Sequence, residues 1–342
     1  MASSSTIAPK LDIDLHVKYI QNLDKKKDYT YHLTEHLRLN GVYWGLTALW
    51  IMGRQDALDR EEMIKYVLSC WDEVAGTFGA HPGHDGHILG TLSGIQILIM
   101  QDAIDRVDVD RITKFLLARV APNGSVSGDE FGESDTRFSY IMASALSLLG
   151  RLDDLDALYD GKGRDLVVQN IVDSMNFDGA FGTEPGAESH GGQVWVAVGA
   201  LALLDRLHMV DNELLGWWLS ERQLPNGGLN GRPEKLEDVC YSWWDLASLS
   251  IIGKIRWING DKLINFILDA QDLEDGGIAD RKGDWVDVFH TVFGVAGLSL
   301  LGYPGLQDID PLYCMPADII EKRGLKKPYF ARPRMEQYPE SS

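Results

Sequence analysis

Apolar residues fall along this chain in two alternating kinds of stretch. One kind is apolar nearly all round and closes on a glycine. It reads Thr47-Ala48-Leu49-Trp50-Ile51-Met52-Gly53, and it returns as Ala143 to Gly150, Ala247 to Gly253 and Ala296 to Gly302. Weaker copies occupy 93–100 and 199–205, so six are visible. The other kind carries apolar residues at three-to-four spacing, as in 61–71, 112–120 and 262–270. That period marks an amphipathic helix, whereas a helix apolar on every side belongs in an interior. The pattern predicts two layers, with all-apolar helices inside and amphipathic helices covering them.

A second phrase precedes five of the six copies, built around Gly76, Gly124, Gly179, Gly227 and Gly276. The spacings between these glycines are 48, 55, 48 and 49 residues, and the long interval holds an acidic, glycine-containing insertion at 153–164. A fixed period of this length marks stacked helix-pair repeats. A polar residue opens each inner helix. Asp135, Asp238 and Asp287 stand fifteen residues before a closing glycine, His190 takes the equivalent place in the fourth copy, and Asp85 is the nearest match in the second. Such residues are N-cap signals, so the fifth inner helix is predicted over 238–253.

Six helix pairs form either an open solenoid or a closed ring. An open array needs atypical end repeats, and here the terminal copies are as apolar as the middle ones. The expected fold is therefore all-α, an α/α toroid (barrel) of about six helix-pair repeats with a central cavity. Length alone, 342 residues, suggests two domains. The repeat replaces that division with an N-terminal extension at 1–14, a toroid at 15–315 and a tail at 316–342. Most of the 35 glycines then become the turns of the repeat.

Charge and cysteine usage narrow the function. The net charge is −19, from 51 acidic and 32 basic residues. A nucleic-acid partner normally requires a basic footprint, and an anionic membrane surface is disfavoured for the same reason. No apolar run reaches the ~20 residues of a bilayer span, and the start lacks the apolar core of a signal peptide. Three scattered cysteines, Cys70, Cys240 and Cys314, fit a reducing compartment. A soluble cytoplasmic protein without membrane insertion is expected.

Three constellations carry candidate chemistry. Asp238, Cys240 and His290 open the fifth and sixth inner helices and offer oxygen, sulfur and imidazole at one rim. Three protein ligands with one open position is the pattern of a catalytic zinc site, although a cysteine near a helix start also serves simple packing. Arg232 and Lys235 lie in the loop before Asp238, with Tyr241 just after it and His190 at a neighbouring helix start. Cations beside helix N-termini favour phosphate oxygens, and a solvated loop paired with Glu234 and Glu237 is the alternative. Trp44, Tyr140, Trp195, Trp243, Trp244, Phe289 and Phe293 fall on inner helices. They serve either as core or as the lining of an apolar ligand pocket.

Other stretches look weaker. His81, His84 and His87 recur at steps of three in a proline- and glycine-containing loop, a spacing that suits no standard metal motif. The run Asp153-Asp154-Leu155-Asp156 reads as a solvated face of the insertion. Six basic residues in 321–334 (Lys322, Arg323, Lys326, Lys327, Arg332 and Arg334) read as a solvated extension rather than a docking element. No phosphate-binding G-x-x-x-x-G-K-[ST] loop occurs.

With Asp-x-Cys-Tyr, a later histidine and the glycine repeat in place, the chain resembles the β subunits of protein prenyltransferases over roughly residues 15 to 315. The stretch from Asn226 to Trp244, together with Leu215-Gly216-Trp217-Trp218-Leu219, looks most like the type II class, which transfers geranylgeranyl groups to Rab GTPases. The resemblance implies that Asp238, Cys240 and His290 bind one Zn2+ per chain. It implies that His190, Arg232, Lys235 and Tyr241 hold the isoprenoid diphosphate and stabilise it as a leaving group. It links Asp280 to Mg2+ use with that diphosphate and makes Asp287 a supporting residue behind the ligands. Asn40 and Leu92 match positions where farnesyl enzymes carry pocket-blocking aromatics, which fits the longer geranylgeranyl chain. Gly90 departs from an expected tyrosine, either widening the pocket or repacking it. The implied partners are a prenyltransferase α subunit in a heterodimer, a Rab escort protein carrying its Rab GTPase, and geranylgeranyl diphosphate. Farnesyl or type I geranylgeranyl transfer and a non-catalytic toroid scaffold are the alternatives. A triterpene-cyclase-like activity would need an Asp-x-Asp-Asp motif, which the sequence lacks.

Overall fold

The computed structural model of the chain describes residues 10–25, 27 and 29–325. In chain order the helices are α1 (Ile13–Asn22), α2 (Tyr29–Leu33), α3 (Arg38–Ile51), α4 (Arg60–Ser69), α5 (Ile88–Met100), α6 (Val109–Leu117) and α7 (Thr136–Leu148). They continue as α8 (Gly163–Asp173), α9 (Gly191–Leu203), α10 (Asn212–Ser220), α11 (Tyr241–Ile251), α12 (Gly260–Asp269), α13 (Val288–Leu300) and α14 (Ala317–Lys322). Each of α3, α5, α7, α9, α11 and α13 packs against the next, and α13 packs back on α3. The six all-apolar helices thus form a closed inner ring, as the pattern predicts. Outer helices α4, α6, α8, α10 and α12 cover α5, α7, α9, α11 and α13.

The sixth outer helix is α1, and it closes the ring. Gly227 has φ +96, and a Cβ there would collide with the Lys262 carbonyl of α12, the outer helix of the next repeat. Gly276 has φ +82 and meets the Leu15 carbonyl of α1 in the same way. Only glycine combines that left-handed backbone with so close an approach. His16 on α1 is fully buried at this joint. Its Nδ1 accepts from the Gly277 N–H at 2.8 Å, so its Nε2–H donates to Gln271 Oε1 at 2.9 Å. Burial holds its pKa below the ordinary value, in keeping with a neutral imidazole.

Around each glycine anchor the chain doubles back in a short antiparallel pairing. It is β1 (Trp71–Asp72) with β2 (Thr77–Phe78), in register Trp71 to Phe78, in the second repeat. Single bridges Val120–Val126, Met175–Phe181, Gln223–Leu229 and Gln271–Ile278 replace it in the later ones. The outer helices α1, α4, α6, α10 and α12 begin on capping side chains, as where Asp59 Oδ1 accepts from the Glu62 N–H at 2.8 Å. Such a cap contributes about 1 kcal/mol. The inner-ring residues Leu46, Leu49, Leu246 and Leu298 are wholly buried. Cutting any one of them to alanine costs about 2–5 kcal/mol.

A plug closes one end of the ring. Strands β3 (Ile309–Asp310) and β4 (Met315–Pro316) pair antiparallel, Ile309 opposite Pro316, and hold residues 311–314 between them. Four consecutive carbonyls of this segment accept from four inner helices. Trp195 Nε1 donates to Pro311 O at 3.0 Å and Tyr140 Oη to Leu312 O at 2.6 Å. Gln96 Nε2 donates to Tyr313 O at 3.2 Å and Tyr43 Oη to Cys314 O at 2.6 Å. A buried carbonyl without a partner is costly, so this ladder fixes the plug on the ring.

Two predicted helix starts move. Asp135, His190 and Asp287 cap α7, α9 and α13. In the second repeat the cap is His87 instead of Asp85, with Nδ1 accepting from the Leu89 N–H at 3.1 Å. In the fifth, the helix begins at Tyr241 instead of at Asp238. The Val239 N–H donates to the Asp280 carbonyl at 2.9 Å, across to the sixth repeat, and this draws 238–240 into a turn.

The insertion is partly neutralised internally, since Arg164 pairs with Asp156 at 2.7 Å and Asp153 at 3.1 Å. In the basic tail Lys322 pairs with Asp318 at 3.2 Å and Arg323 donates to the Leu148 carbonyl at 3.0 Å. Lys326, Lys327, Arg332 and Arg334 lie outside the described residues, as do residues 1–9 of the N-terminal extension. Among the described residues no helix is long and apolar enough to cross a membrane.

Candidate active site

The turn before α11 and the first turn of α13 bring Asp238, Cys240 and His290 together. One donor atom from each lies within 4.8 Å of the others. Asp238 Oδ1 accepts from the Cys240 N–H at 2.7 Å and lies 3.2 Å from His290 Nε2. The displaced helix start is what makes this possible, because Asp238 turns toward the neighbouring repeat instead of capping its own helix. Behind His290 stands Asp287, whose Oδ2 takes the Nδ1–H at 2.7 Å while Oδ1 caps α13.

The electrostatics follow from burial between carboxylates. The Cys240 thiol is 7% exposed, and burial, then the Asp238 carboxylate, push its pKa far above the ordinary thiol value. Burial pulls His290 down, but hydrogen bonds to Asp238 and Asp287 and their charges outweigh it and raise it to about 9. Burial pushes Asp238 up, and the His290 and Cys240 hydrogen bonds outweigh it, leaving the carboxyl below its usual range. The cluster therefore holds two acidic groups, Asp238 and Cys240, whose negative forms call for a proton or a cation beside them.

A polar relay sits one helix start away. The Gly192 N–H donates to His190 Nδ1 at 3.1 Å. An N–H only donates, so Nδ1 carries the lone pair and Nε2 the proton. That Nε2–H faces Tyr241 Oη at 3.0 Å, which leaves the phenol O–H free to donate outward. Burial, then the Arg232 charge, lower the His190 pKa, which favours this neutral form. Gly231 lies flat on the Tyr241 ring, where any Cβ would collide with the phenol oxygen. Its carbonyl accepts from the Gly191 N–H at 2.7 Å, locking the two loops. Arg232 and Lys235 flank a tight turn, half-buried and exposed respectively, with Glu234 at φ +65. Arg232 Nη1 is paired with Glu188 Oε2 at 2.7 Å, a partner the sequence pattern did not single out.

Asp280 is half-buried and contributes its carbonyl to Val239. Its Oδ1 accepts from the Arg281 N–H and its Oδ2 from the Arg281 guanidinium, both at 3.0 Å.

The aromatic candidates divide into two groups. Trp44, Trp244 and Phe289 stand on inner helices yet remain partly exposed, which leaves ring surface available to a ligand. Trp44 meets Phe289 edge-on at 5.1 Å across the α3–α13 joint, and Trp244 lies 4.4 Å from Phe293. Tyr140 and Trp195, 4.5 Å apart, are buried with their polar tips on the plug. Trp243 is 0% exposed and packs behind Trp195 and Phe293, so it belongs to the wall rather than its surface. Asn40 is drawn onto Ser93 Oγ at 3.0 Å, and Leu92 is buried beside it on α5. A Cβ on Gly90 would meet the Phe78 and Gly79 carbonyls, so this glycine repacks α5 against that loop and does not widen the interior.

Two further features escaped the sequence pattern. Asp245 lies fully buried on α11 against Gly191, and neither carboxyl oxygen has a hydrogen-bond partner among the described residues. The lone charge after Trp243-Trp244 was its signal. His81 and His84 come together with Glu35, while His87 turns away to cap α5.

The family model described as the prenyltransferase alpha-alpha toroid domain matches residues 11–315. The chain is 52% identical over 314 residues to the geranylgeranyl transferase type-2 subunit beta of Saccharomyces cerevisiae, spanning 90% of this chain and 94% of that protein. It is 49% identical over 322 residues to the type-2 subunit beta 1 of Arabidopsis thaliana, spanning 94% and 98%. Among solved structures, Candida albicans protein geranylgeranyltransferase-I complexed with GGPP matches with a TM-score of 0.80 over 93% of this chain and all of that one. Its 22% identity makes it a likeness of fold.

Proposed function

Because this chain belongs to the prenyltransferase alpha-alpha toroid family, we propose that it is the catalytic β subunit of a zinc-dependent protein geranylgeranyltransferase of type II. Its substrates in this proposal are geranylgeranyl diphosphate and the C-terminal cysteines of Rab GTPases. One observation carries it: Asp238, Cys240 and His290, from two repeats, converge within 4.8 Å at the same rim as the His190–Tyr241 relay.

The donor set fits zinc. Sulfur, carboxylate oxygen and an imidazole whose other nitrogen is held by a carboxylate leave one position open. The buried Cys240 thiol next to Asp238 calls for a cation beside it before it gives up its proton. Asp238, Cys240 and His290 would hold Zn2+, which when bound supplies a site that keeps a substrate cysteine as the reactive thiolate. Mg2+ accompanies the diphosphate in this proposal, and Asp280 could meet it only by exchanging Arg281.

The chain's own residues then act on the leaving group. The thiolate sulfur attacks C1 of the prenyl chain, the C–S bond forms as the C1–O bond breaks, and diphosphate departs with the electron pair. Tyr241 donates its free O–H to the diphosphate, and His190 holds that phenol in place through Nε2–H. Arg232 and Lys235 neutralise the growing charge, which lowers the barrier electrostatically. The apolar tail lies along Trp44, Trp244 and Phe289. With Asn40 folded back on Ser93 and Leu92 aliphatic, no aromatic ring stands at either position to shorten the pocket. That favours geranylgeranyl over farnesyl.

The proposed assembly is a heterodimer with an α subunit, receiving Rab from an escort protein in the cytoplasm. The test is co-expression with a candidate α subunit, followed by transfer of labelled geranylgeranyl or farnesyl diphosphate to an escorted Rab. Geranylgeranyl label on the C-terminal cysteines is expected. A folded heterodimer that prefers farnesyl, or transfers neither, would overturn the proposal.

A further inference from the structure

The four-residue turn that presents Arg232 and Lys235 in the fifth repeat has a counterpart in the second, His81-Pro82-Gly83-His84. Gly83 has φ +84, and the His84 N–H donates to the His81 carbonyl at 3.0 Å. Proline followed by a left-handed glycine makes a rigid type II turn. It sets the two imidazoles side by side, with ring centroids 5.4 Å apart. Glu35 arrives from the segment between α2 and α3, and in the first turn of α3 the Leu39 N–H donates to the Ala80 carbonyl at 2.9 Å. One donor atom each from Glu35, His81 and His84 lies within 4.8 Å of the others, and all three residues are half-buried.

Two of the three are already oriented as metal ligands are. His81 Nδ1 faces the Pro82 carbonyl at 3.2 Å. A carbonyl only accepts, so Nδ1 carries the proton and Nε2 presents its lone pair. Glu35 Oε1 accepts from His32 Nδ1 at 3.0 Å, which leaves its second oxygen available. Backbone and side-chain partners of this kind fix the tautomer and the carboxylate in metal sites.

We infer that Glu35, His81 and His84 form a second divalent-cation site, separate from the Asp238–Cys240–His290 cluster, that takes Zn2+. Two imidazoles and one carboxylate with an open fourth position match zinc, whereas magnesium and calcium prefer oxygen donors throughout. The carboxylate of Glu35 and a chain of net charge −19 favour a cation at this cluster. The ion ties the segment before α3 to the rim of the second repeat. This inference stands apart from the proposed reaction, because none of its ligands touches the diphosphate or the Cys240 cluster in that scheme.

The test counts metal on the chelator-stripped full chain titrated with Zn2+, and repeats the titration with Co2+. Wild type is expected to bind two ions, H81N/H84N one, and Cys240→Ala one. Glu35→Gln is expected to weaken the second ion roughly tenfold or more. The Co2+ lost in H81N/H84N should carry no thiolate-to-cobalt charge-transfer band, because its ligands contain no sulfur. Equal ion counts for wild type and H81N/H84N would overturn the inference, as would a thiolate band on the ion that is lost. If H81N/H84N does not fold, Glu35→Gln decides: an affinity equal to wild type overturns the site.

Discussion

His290 reaches Asp238 across the joint between the sixth and fifth repeats, with Nε2 3.2 Å from Oδ1, while Asp287 grips its Nδ1 at 2.7 Å. A carboxylate behind a ligating imidazole sets both its orientation and its basicity. Asp287→Asn keeps the cap on α13 through the amide oxygen but loses the second acceptor. Zinc affinity should fall roughly 10- to 100-fold, with helix content unchanged. Competition against a chelating dye measures this, and an unchanged affinity contradicts the role of Asp287.

Arg232 is committed to Glu188 at 2.7 Å, with the glutamate side chain 61% exposed. In the proposed reaction, diphosphate must share or displace that partner. An exposed pair of this kind is worth about 0.2–1 kcal/mol. Glu188→Gln should therefore tighten geranylgeranyl diphosphate binding, by up to about fivefold. Binding at two salt concentrations checks it, and weaker binding in the variant would show that Glu188 positions Arg232 instead of competing for it.

Tyr140 anchors the plug through the Leu312 carbonyl at 2.6 Å. Tyr140→Phe keeps the ring and strands a buried acceptor, at a cost of about 1–3 kcal/mol. Urea unfolding should show that loss. Stability equal to wild type would mean that the plug does not depend on its carbonyl ladder.

Asp245 is buried, and desolvation raises its pKa well above the ordinary value, offset in part by the Arg222 charge. The folded state therefore keeps a proton that the unfolded state has released above pH ~4. Stability from this group falls as pH rises from the unfolded pKa toward the raised folded one. Asp245→Asn removes that slope. The variant should gain on wild type as pH rises above 4, by up to about 1.4 kcal/mol per pH unit for as long as the folded state keeps the proton. Parallel unfolding curves at about pH 4 and pH 7 test it, and a constant difference contradicts the buried-acid account.

The inner ring was legible because its signal is periodic and local. The all-apolar phrases and the glycines that open onto the next outer helix repeat within the chain itself, and the structure closes them through α1 and Gly276. That Asp238, Cys240 and His290 open neighbouring inner helices was visible in the spacing, but only the family resemblance singled them out as one set, and Asp238 reaches it by leaving its helix. What sequence spacing missed depends on partners far along the chain. His81 and His84 look purposeless until Glu35 arrives from the preceding segment. The plug at 311–314 has no motif, because its carbonyls are backbone and only the side chains that meet them carry identity. His87 outcompetes Asp85 as the cap because it alone is adjacent to the first turn of α5.

Prenyl transfer, as proposed, depends on a zinc ion held by Cys240. The most direct test of that dependence is Co2+ substitution of the chain with its α subunit, reading the thiolate charge-transfer band and geranylgeranyl transfer together in wild type and Cys240→Ala. Wild type is expected to show a band and turnover, and the variant to lose both. Full transfer by Cys240→Ala, or a band that survives the substitution, would contradict it.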